Sequence, residues 1–285
     1  MQLYYYRDAK GNFGDDLNAW LWPRLLTGVM DSRPDALFLG IGTLLNTRVP
    51  PDPMKHVLGS GVGYGTVPQI DATWDVRFLR GPLTCDALGL PRHLAITDPA
   101  ALVSLFVQRS APNGVAIMPH HLSVPFLDWP RVCALGGFRF INPAGGVEEV
   151  LNEIAGSQIV IAEAMHGAIV ADALRIPWIP MQIYPQFLPF KWHDWMESLG
   201  IVADISCVVP EYDGSERSMP RRLAARLLGR LDFPARAHRR MVDRLAALAQ
   251  REPVLSDTNR FETAVQRMRE AVERFRRDLG GREAA

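Results

Sequence analysis

Two α/β lobes built on parallel sheets, followed by a helical tail, are what this 285-residue sequence predicts. Three observations carry the prediction. A chain with 48% apolar residues holds more core than one domain of about 100–150 residues uses. Through the first two thirds, short apolar runs alternate with helix-like stretches, the pattern of βαβ units. From about Ser218 the pattern changes to long helical periodicity rich in arginine. The expected boundaries are an N-terminal lobe over 1–108, a C-terminal lobe over 112–210 and a tail over 216–285.

The elements follow in chain order. "DDLNAWLWPRLLTG" (15–28) reads as a helix, and "LFLGIG" (37–42) and "HVLGSGVG" (56–63) as strands that end in glycine. "GPLTCDALGL" (81–90) is a helix opened by Pro82, a residue suited to the first helical position. In the second lobe "GVAIMPH" (114–120), "QIVIAE" (158–163) and "IPWIPM" (176–181) are the strands, with helices "GGVEEVLNEIAGS" (145–157) and "GAIVADALRI" (167–176) between them. The tail adds helices over 218–231 and 260–280.

Composition excludes several classes. The 31 basic and 31 acidic residues balance, so net charge gives no argument for nucleic acid. The balance is uneven along the chain: residues 216–285 hold 17 Arg, no Lys and 10 acids, net +7, which leaves −7 on the rest. Three scattered cysteines, Cys85, Cys133 and Cys207, form neither a disulfide framework nor a zinc site and fit a reducing cytoplasm. The N-terminus lacks the apolar core of a signal peptide, and no apolar run approaches the roughly 18 residues of a membrane span.

Open parallel sheets bind ligands beyond the carboxyl ends of their strands. Five junctions there carry polar residues or glycines. "GNFGDDLN" (11–18) places Asn12, Asp15, Asp16 and Asn18 at a helix start, as acceptors for sugar hydroxyls or simply as a cap. "GIGT" (40–43) and "GSGVGYG" (59–65), with Gly61, supply glycines for close approach or for tight turns. Arg80 at the end of an apolar stretch suits a clamp on carboxylate or phosphate, or an ion pair with Asp98. "MPHH" (118–121) sends a strand into His120 and His121, which on extended chain point to opposite sides, so at most one of them faces a given ligand. His120 is an acid, base or anion ligand, or a histidine of the fold. No further His or Cys partners suggest a metal.

A sixth junction, "AEAMHG" (162–167), leads from strand to helix with Glu163, His166 and Gly167 at that edge. Gly167 lets the chain turn, and the helix N-terminus disfavours a protonated imidazole at His166, which points to a function for it over a histidine of the core.

These stretches, in this order, resemble the polysaccharide pyruvyl transferases, in particular the bacterial ketal-forming enzymes of exopolysaccharide synthesis. The resemblance runs from about residue 10 to about residue 200, through "GNFGDDLNAWLW", "GSGVGYG", "RGPLTCDALGL" with "TDPAALV", "MPHH" and "AEAMHGAIVADALRIPWIPM" followed by "KWHDWMESLG". It implies two Rossmann-like lobes similar to the GT-B glycosyltransferases and phosphoenolpyruvate as co-substrate, with no cofactor and no metal. Pyruvate would be placed as a ketal across two sugar hydroxyls, with release of phosphate.

The resemblance also implies site roles: His166, His120 and Glu163 catalytic, Arg80, Gly167 and Lys191 on the donor, and Asn12, Asp15, Asp16, Asn18 and Gly61 on the acceptor. Relatives often carry Arg where this chain has Ala164. Another cation, Arg80 first and then Lys191 or Arg7, is expected to meet the donor's charge. The implied acceptor is a lipid-linked oligosaccharide or other glycan at the cytoplasmic face of the membrane, with no nucleic-acid partner. Peripheral membrane contact through the basic tail and pairing as a homodimer are compatible with this reading. A nucleotide-sugar glycosyltransferase and a sugar-binding scaffold are the competing readings.

Overall fold

The computed structural model describes residues 1–31, 33, 35–212 and 233–283. The tail helix expected over 218–231 lies outside them. The chain forms two compact α/β units, one from residues 1–106, 188–202 and 256–285, the other from 107–187 and 203–255.

In the first unit, strands β1 (Gln2–Tyr4), β2 (Ala36–Leu39), β3 (Met54–Leu58) and β4 (Trp74–Phe78) pair in parallel in that order. The apolar runs end where foreseen, and Leu37, Leu39, Val57 and Leu79 share one core with Leu44 and Cys85. Helix α1 (Phe13–Leu25) starts at Asn12, whose side chain accepts the Gly14 amide while its own amide reaches Asp16. This reciprocal cap satisfies amides that a helix start otherwise leaves unpaired. Helix α2 (Pro82–Leu88) begins at Pro82 and stops at Gly89, which adopts a left-handed φ of 65°.

The second unit holds β5 (Val115–Met118), α3 (Trp129–Gly136), β6 (Arg139–Phe140), α4 (Val147–Ala155), β7 (Ile159–Ala162), α5 (Met165–Ala173), β8 (Trp178–Gln182) and β9 (Ser206–Cys207). Its sheet is parallel throughout, in the order β6-β5-β7-β8-β9. Since β6 follows β5 outward on one side and β7 lies on the other, strand order reverses between β5 and β7. That is a topological switch point, where the loops after two neighbouring strands diverge.

Chain order and core membership part company after β8. Helix α6 (Pro189–Ser198) lies in the first unit and buries Trp192, Asp194 and Trp195. Helix α7 (Phe233–Ala249) belongs to the second unit, where Ala237, Met241, Leu245 and Leu248 join the core made by Ile117, Ile161, Ile179 and Met181. Helix α8 (Thr258–Glu283) returns to the first unit and sinks Met268 and Phe275, the latter 5.9 Å from the ring of Phe38. The described residues of the expected tail are therefore divided between the two cores. Periodicity shows that a helix has an apolar face but not which sheet will cover it.

Candidate active site

Unit 1 gathers polar side chains at the carboxyl ends of β2, β3 and β4. Arg80 leaves β4 and is fully buried, as is its partner Asp194 on α6; Nε lies 2.9 Å from the carboxylate. Its Nη1 donates to the Thr43 hydroxyl at 3.0 Å and its Nη2 to the Val62 carbonyl at 2.9 Å. Asp194 also accepts the Thr84 amide at 2.8 Å and hydroxyl at 2.6 Å. Each buried charge is thus paired and hydrogen-bonded, which is what keeps such a pair from being costly. The ion pair open to Arg80 in the sequence goes to Asp194 instead of Asp98, which caps a 3₁₀ turn by accepting the Ala100 amide.

Two glycines explain the fit. A Cβ on Gly61 would stand 2.3 Å from the Arg80 guanidinium carbon, and one on Gly81 would stand 2.0 Å from the Asp194 carbonyl. Gly61, expected beside the acceptor, makes room for Arg80, and its amide and carbonyl bond Gly42 and Leu45.

Asn18 is also engaged by the fold. Its Nδ2 donates to the carbonyls of Asp15 and Ile41, and its Oδ1 accepts the Ile41 amide and the Trp22 indole N–H. Two donors and two acceptor positions are all that an asparagine side chain has, so sugar hydroxyls find no vacancy. Asn12 caps α1 and donates to the Asp15 carboxylate. Asp15 and Asp16, half-buried, stay at the edge where the sequence places them.

Lys191, on α6, donates to the Tyr64 hydroxyl at 2.8 Å, and its Nζ lies 4.8 Å from the ring centre. Burial and then the Arg80 charge lower the Lys191 ammonium to about 8, against the opposing pull of Asp15. Burial and Asp15 raise the Tyr64 phenol, with Arg80 opposing. Tyr64 sits inside the quoted "GSGVGYG", where reading for glycines passed over it; Asp194 sits inside "KWHDW" and its lone acid among tryptophans was the available signal. Arg7 lies over the Tyr5 ring at 5.1 Å and is exposed.

In unit 2 the switch point is lined by the loops after β5 and β7. Glu163, at the end of β7, is buried between them. One of its oxygens accepts the His120 amide at 2.9 Å and the other accepts the amides of Ile183, at 2.6 Å, and Tyr184. A carboxylate at the end of the central strand thereby closes the ends of both neighbours, β5 and β8. Both oxygens accept amides, so Glu163 holds these loops together at the strand ends.

His120 and His121 do not diverge. Their ring centres lie 4.2 Å apart, and His120 stacks on Tyr184 at 5.6 Å with planes 19° apart. The strand ends at Met118 and the chain turns, with the amides of Ser123 and Val124 donating to the His120 carbonyl, so extended alternation no longer applies. The Leu122 amide points to His120 Nδ1 at 3.3 Å, which assigns the proton to Nε2.

His166 is half-buried in the first turn of α5, after Ala164 at the N-cap. Gly167, expected at the donor, serves packing: a Cβ there would meet Met118 Sδ at 2.4 Å. Among the described residues no three His, Cys, Asp or Glu side chains cluster as metal ligands would.

A family model for polysaccharide pyruvyl transferases matches residues 56–183, a stretch that includes Tyr64, Arg80, His120, Glu163 and His166. The chain is 38% identical over 265 residues, 89% of its length, to the succinoglycan biosynthesis protein ExoV of Rhizobium meliloti (strain 1021), of which it covers 82%. The parallel sheets, the polar loops at their carboxyl ends and these two similarities agree: the chain belongs to the polysaccharide pyruvyl transferase family and is an enzyme of pyruvyl transfer.

Proposed function

We propose that this enzyme takes pyruvate from phosphoenolpyruvate and sets it as a ketal across two hydroxyls of a sugar in an exopolysaccharide precursor, releasing phosphate. The observation that carries the reading is the switch point of unit 2, where His120 follows β5 on its loop and His166 follows β7 in the first turn of α5. The similarity to a succinoglycan biosynthesis protein supports the polysaccharide acceptor. Each unit is built on a parallel sheet, which supports a GT-B-like reading of the fold.

The chemistry needs a proton delivered to the methylene carbon, a hydroxyl attacking the adjacent carbon, departure of phosphate and a second attack to close the ring. His166 takes proton transfer or phosphate contact, at a helix start that favours an anion. His120, a donor through Nε2, takes the second such role. On unit 1, Lys191 supplies the cation for the donor, with the Arg80 charge behind it but already committed to Asp194. Asp15 and Asp16 face the acceptor hydroxyls. No step calls for a resident cofactor.

The acceptor is a lipid-linked oligosaccharide at the cytoplasmic face of the membrane. Among the described residues, no helix is long and apolar enough to cross a membrane. Helices α7 and α8 bury their apolar faces in the cores, so a membrane contact on these two helices would run through their exposed arginines.

The test is turnover with phosphoenolpyruvate and a lipid-linked oligosaccharide, followed by the product's mass. A gain of one pyruvate less one water, with phosphate released, is the expected result. A hexose-sized gain from a nucleotide sugar would reassign the enzyme. His166→Ala should lower phosphate release by about 10²–10⁴-fold with the fold retained. Retention of more than about a tenth of the rate removes His166 from the proton-transfer role.

A further inference from the structure

Lys191 and Tyr64 form a polar pair at the carboxyl edge of unit 1 in which the direction of the hydrogen bond is fixed by chemistry. An ammonium has only donors, so at 2.8 Å the Lys191 Nζ donates and the Tyr64 oxygen accepts. The hydroxyl hydrogen of Tyr64 must then point away from Lys191. Tyr64 is 44% exposed, so its side chain is within reach of a ligand, whereas Lys191 is half-buried.

The surroundings hold the pair in place. Gly63 gives the chain room beside α6, since a Cβ there would stand 2.9 Å from Thr43 Cγ2, 3.0 Å from Leu188 Cδ2 and 3.3 Å from Lys191 Cγ. Thr43 is fixed in turn by Arg80 at 3.0 Å. The charged groups acting on Lys191 are Arg80, which repels its proton, and Asp15, which holds it; Asp194 takes up part of the Arg80 charge by direct pairing. Lys191 therefore keeps a proton at neutral pH yet yields it more readily than an exposed lysine. Tyr64 is held in its protonated form by burial and by Asp15.

We infer that Tyr64 is a catalytic acid of this enzyme, giving its hydroxyl proton to the methylene carbon of the enol phosphate donor while Lys191 replaces that proton from behind. The inference rests on the pyruvyl-transfer function proposed above and adds a residue to it. The Tyr64 O–H bond breaks as the carbon–hydrogen bond of the new methyl group forms, and a Lys191 N–H bond breaks as the phenol is restored. The two acceptor hydroxyls form two carbon–oxygen bonds and release two protons. One returns to Lys191 through water and the other leaves on the phosphate, which departs with the electron pair of its carbon–oxygen bond. Lys191 acts through Tyr64 and is a positioning residue as well as the donor's cation.

The test compares the wild type with Tyr64→Phe and Lys191→Arg in ketal formation from phosphoenolpyruvate, from about pH 6 to about pH 10. Tyr64→Phe keeps the ring and loses the proton. Lys191→Arg keeps the charge and the donor groups, but a guanidinium does not give up its proton. In the expected result both variants lose about 10²-fold or more in kcat, with the donor KM within about threefold of the wild type. Wild-type kcat should also fall as pH rises past about 8, a limb absent from Lys191→Arg. Thermal unfolding of the variants, measured alongside, reports whether they are folded. A folded Tyr64→Phe within about threefold of wild-type kcat overturns the inference and leaves the proposed function standing. A wild type that makes no ketal from phosphoenolpyruvate overturns both.

Discussion

The carboxylate of Glu163 accepts the backbone amide of His120 at 2.9 Å, so the histidine loop after β5 is held by a residue at the end of β7. The second oxygen holds Ile183 and Tyr184, and Tyr184 in turn stacks on His120. One buried carboxylate thus fixes both the backbone and the ring environment of His120.

Glu163→Gln is expected to destabilise the protein by about 1–3 kcal/mol, since an amide nitrogen would face an N–H donor on one side and leave it unsatisfied. The denaturant midpoint measures this. Activity should fall with it through displacement of His120. Unchanged stability would mean that the three amides find other acceptors.

Asp194→Ala leaves the Arg80 guanidinium buried without its counter-ion and removes the partner of Thr84. Breaking one side of such a pair typically costs about 3–5 kcal/mol. Chemical unfolding should show a loss of this size, whereas a loss near zero would place water or another anion beside Arg80.

Lys191 carries a cost in stability. Its ammonium is lowered from 10.5 to about 8 in the folded protein, so between those values the unfolded chain binds more protons. Stability from this group is accordingly lowest below about pH 8 and rises with pH through that window. Lys191→Met should therefore raise stability at neutral pH by about 1–2 kcal/mol, allowing for partial solvent screening, while activity is lost. Melting temperatures at pH 7 and pH 10 check the sign, because the gain should shrink at the higher pH.

On α8, Arg269, Arg276 and Arg277 are exposed while Met268 and Phe275 are in the core. If the enzyme meets an anionic membrane through this face, each Arg→Glu change should weaken binding to vesicles containing anionic lipid by about 1 kcal/mol or more. Deleting residues 216–285 would not serve, because α7 and α8 complete the two cores. Equal flotation of the triple variant and the wild type would exclude this face as the contact.

The placement of the candidate residues was legible because a strand end is a local feature of the chain. The runs that became β2, β3, β5, β7 and β8 are short and apolar, and they stop at the loops that hold Arg80, His120 and Glu163. What those side chains do was not legible. Arg80, Asn18 and Glu163 are polar residues near a sheet edge in sequence, yet their hydrogen bonds are with Asp194, Ile41 and Ile183, between 20 and 114 positions away. Gly61 and Gly167 gave the same signal as ligand-binding glycines because a missing Cβ does not say what fills its place.

The sequence by itself determined the α/β class, the parallel strands and the strand-end edge on which the candidate residues lie, since each follows from hydrophobic period and from residues adjacent in the chain. Only the tertiary structure decided that α6 and α8 complete the first unit and α7 the second, and that the Arg80 charge is shared with Asp194. The same is true of the pairing of Tyr64 with Lys191. These are contacts between segments far apart in the chain, and they are selected by which buried charge finds a partner and which apolar face finds a core.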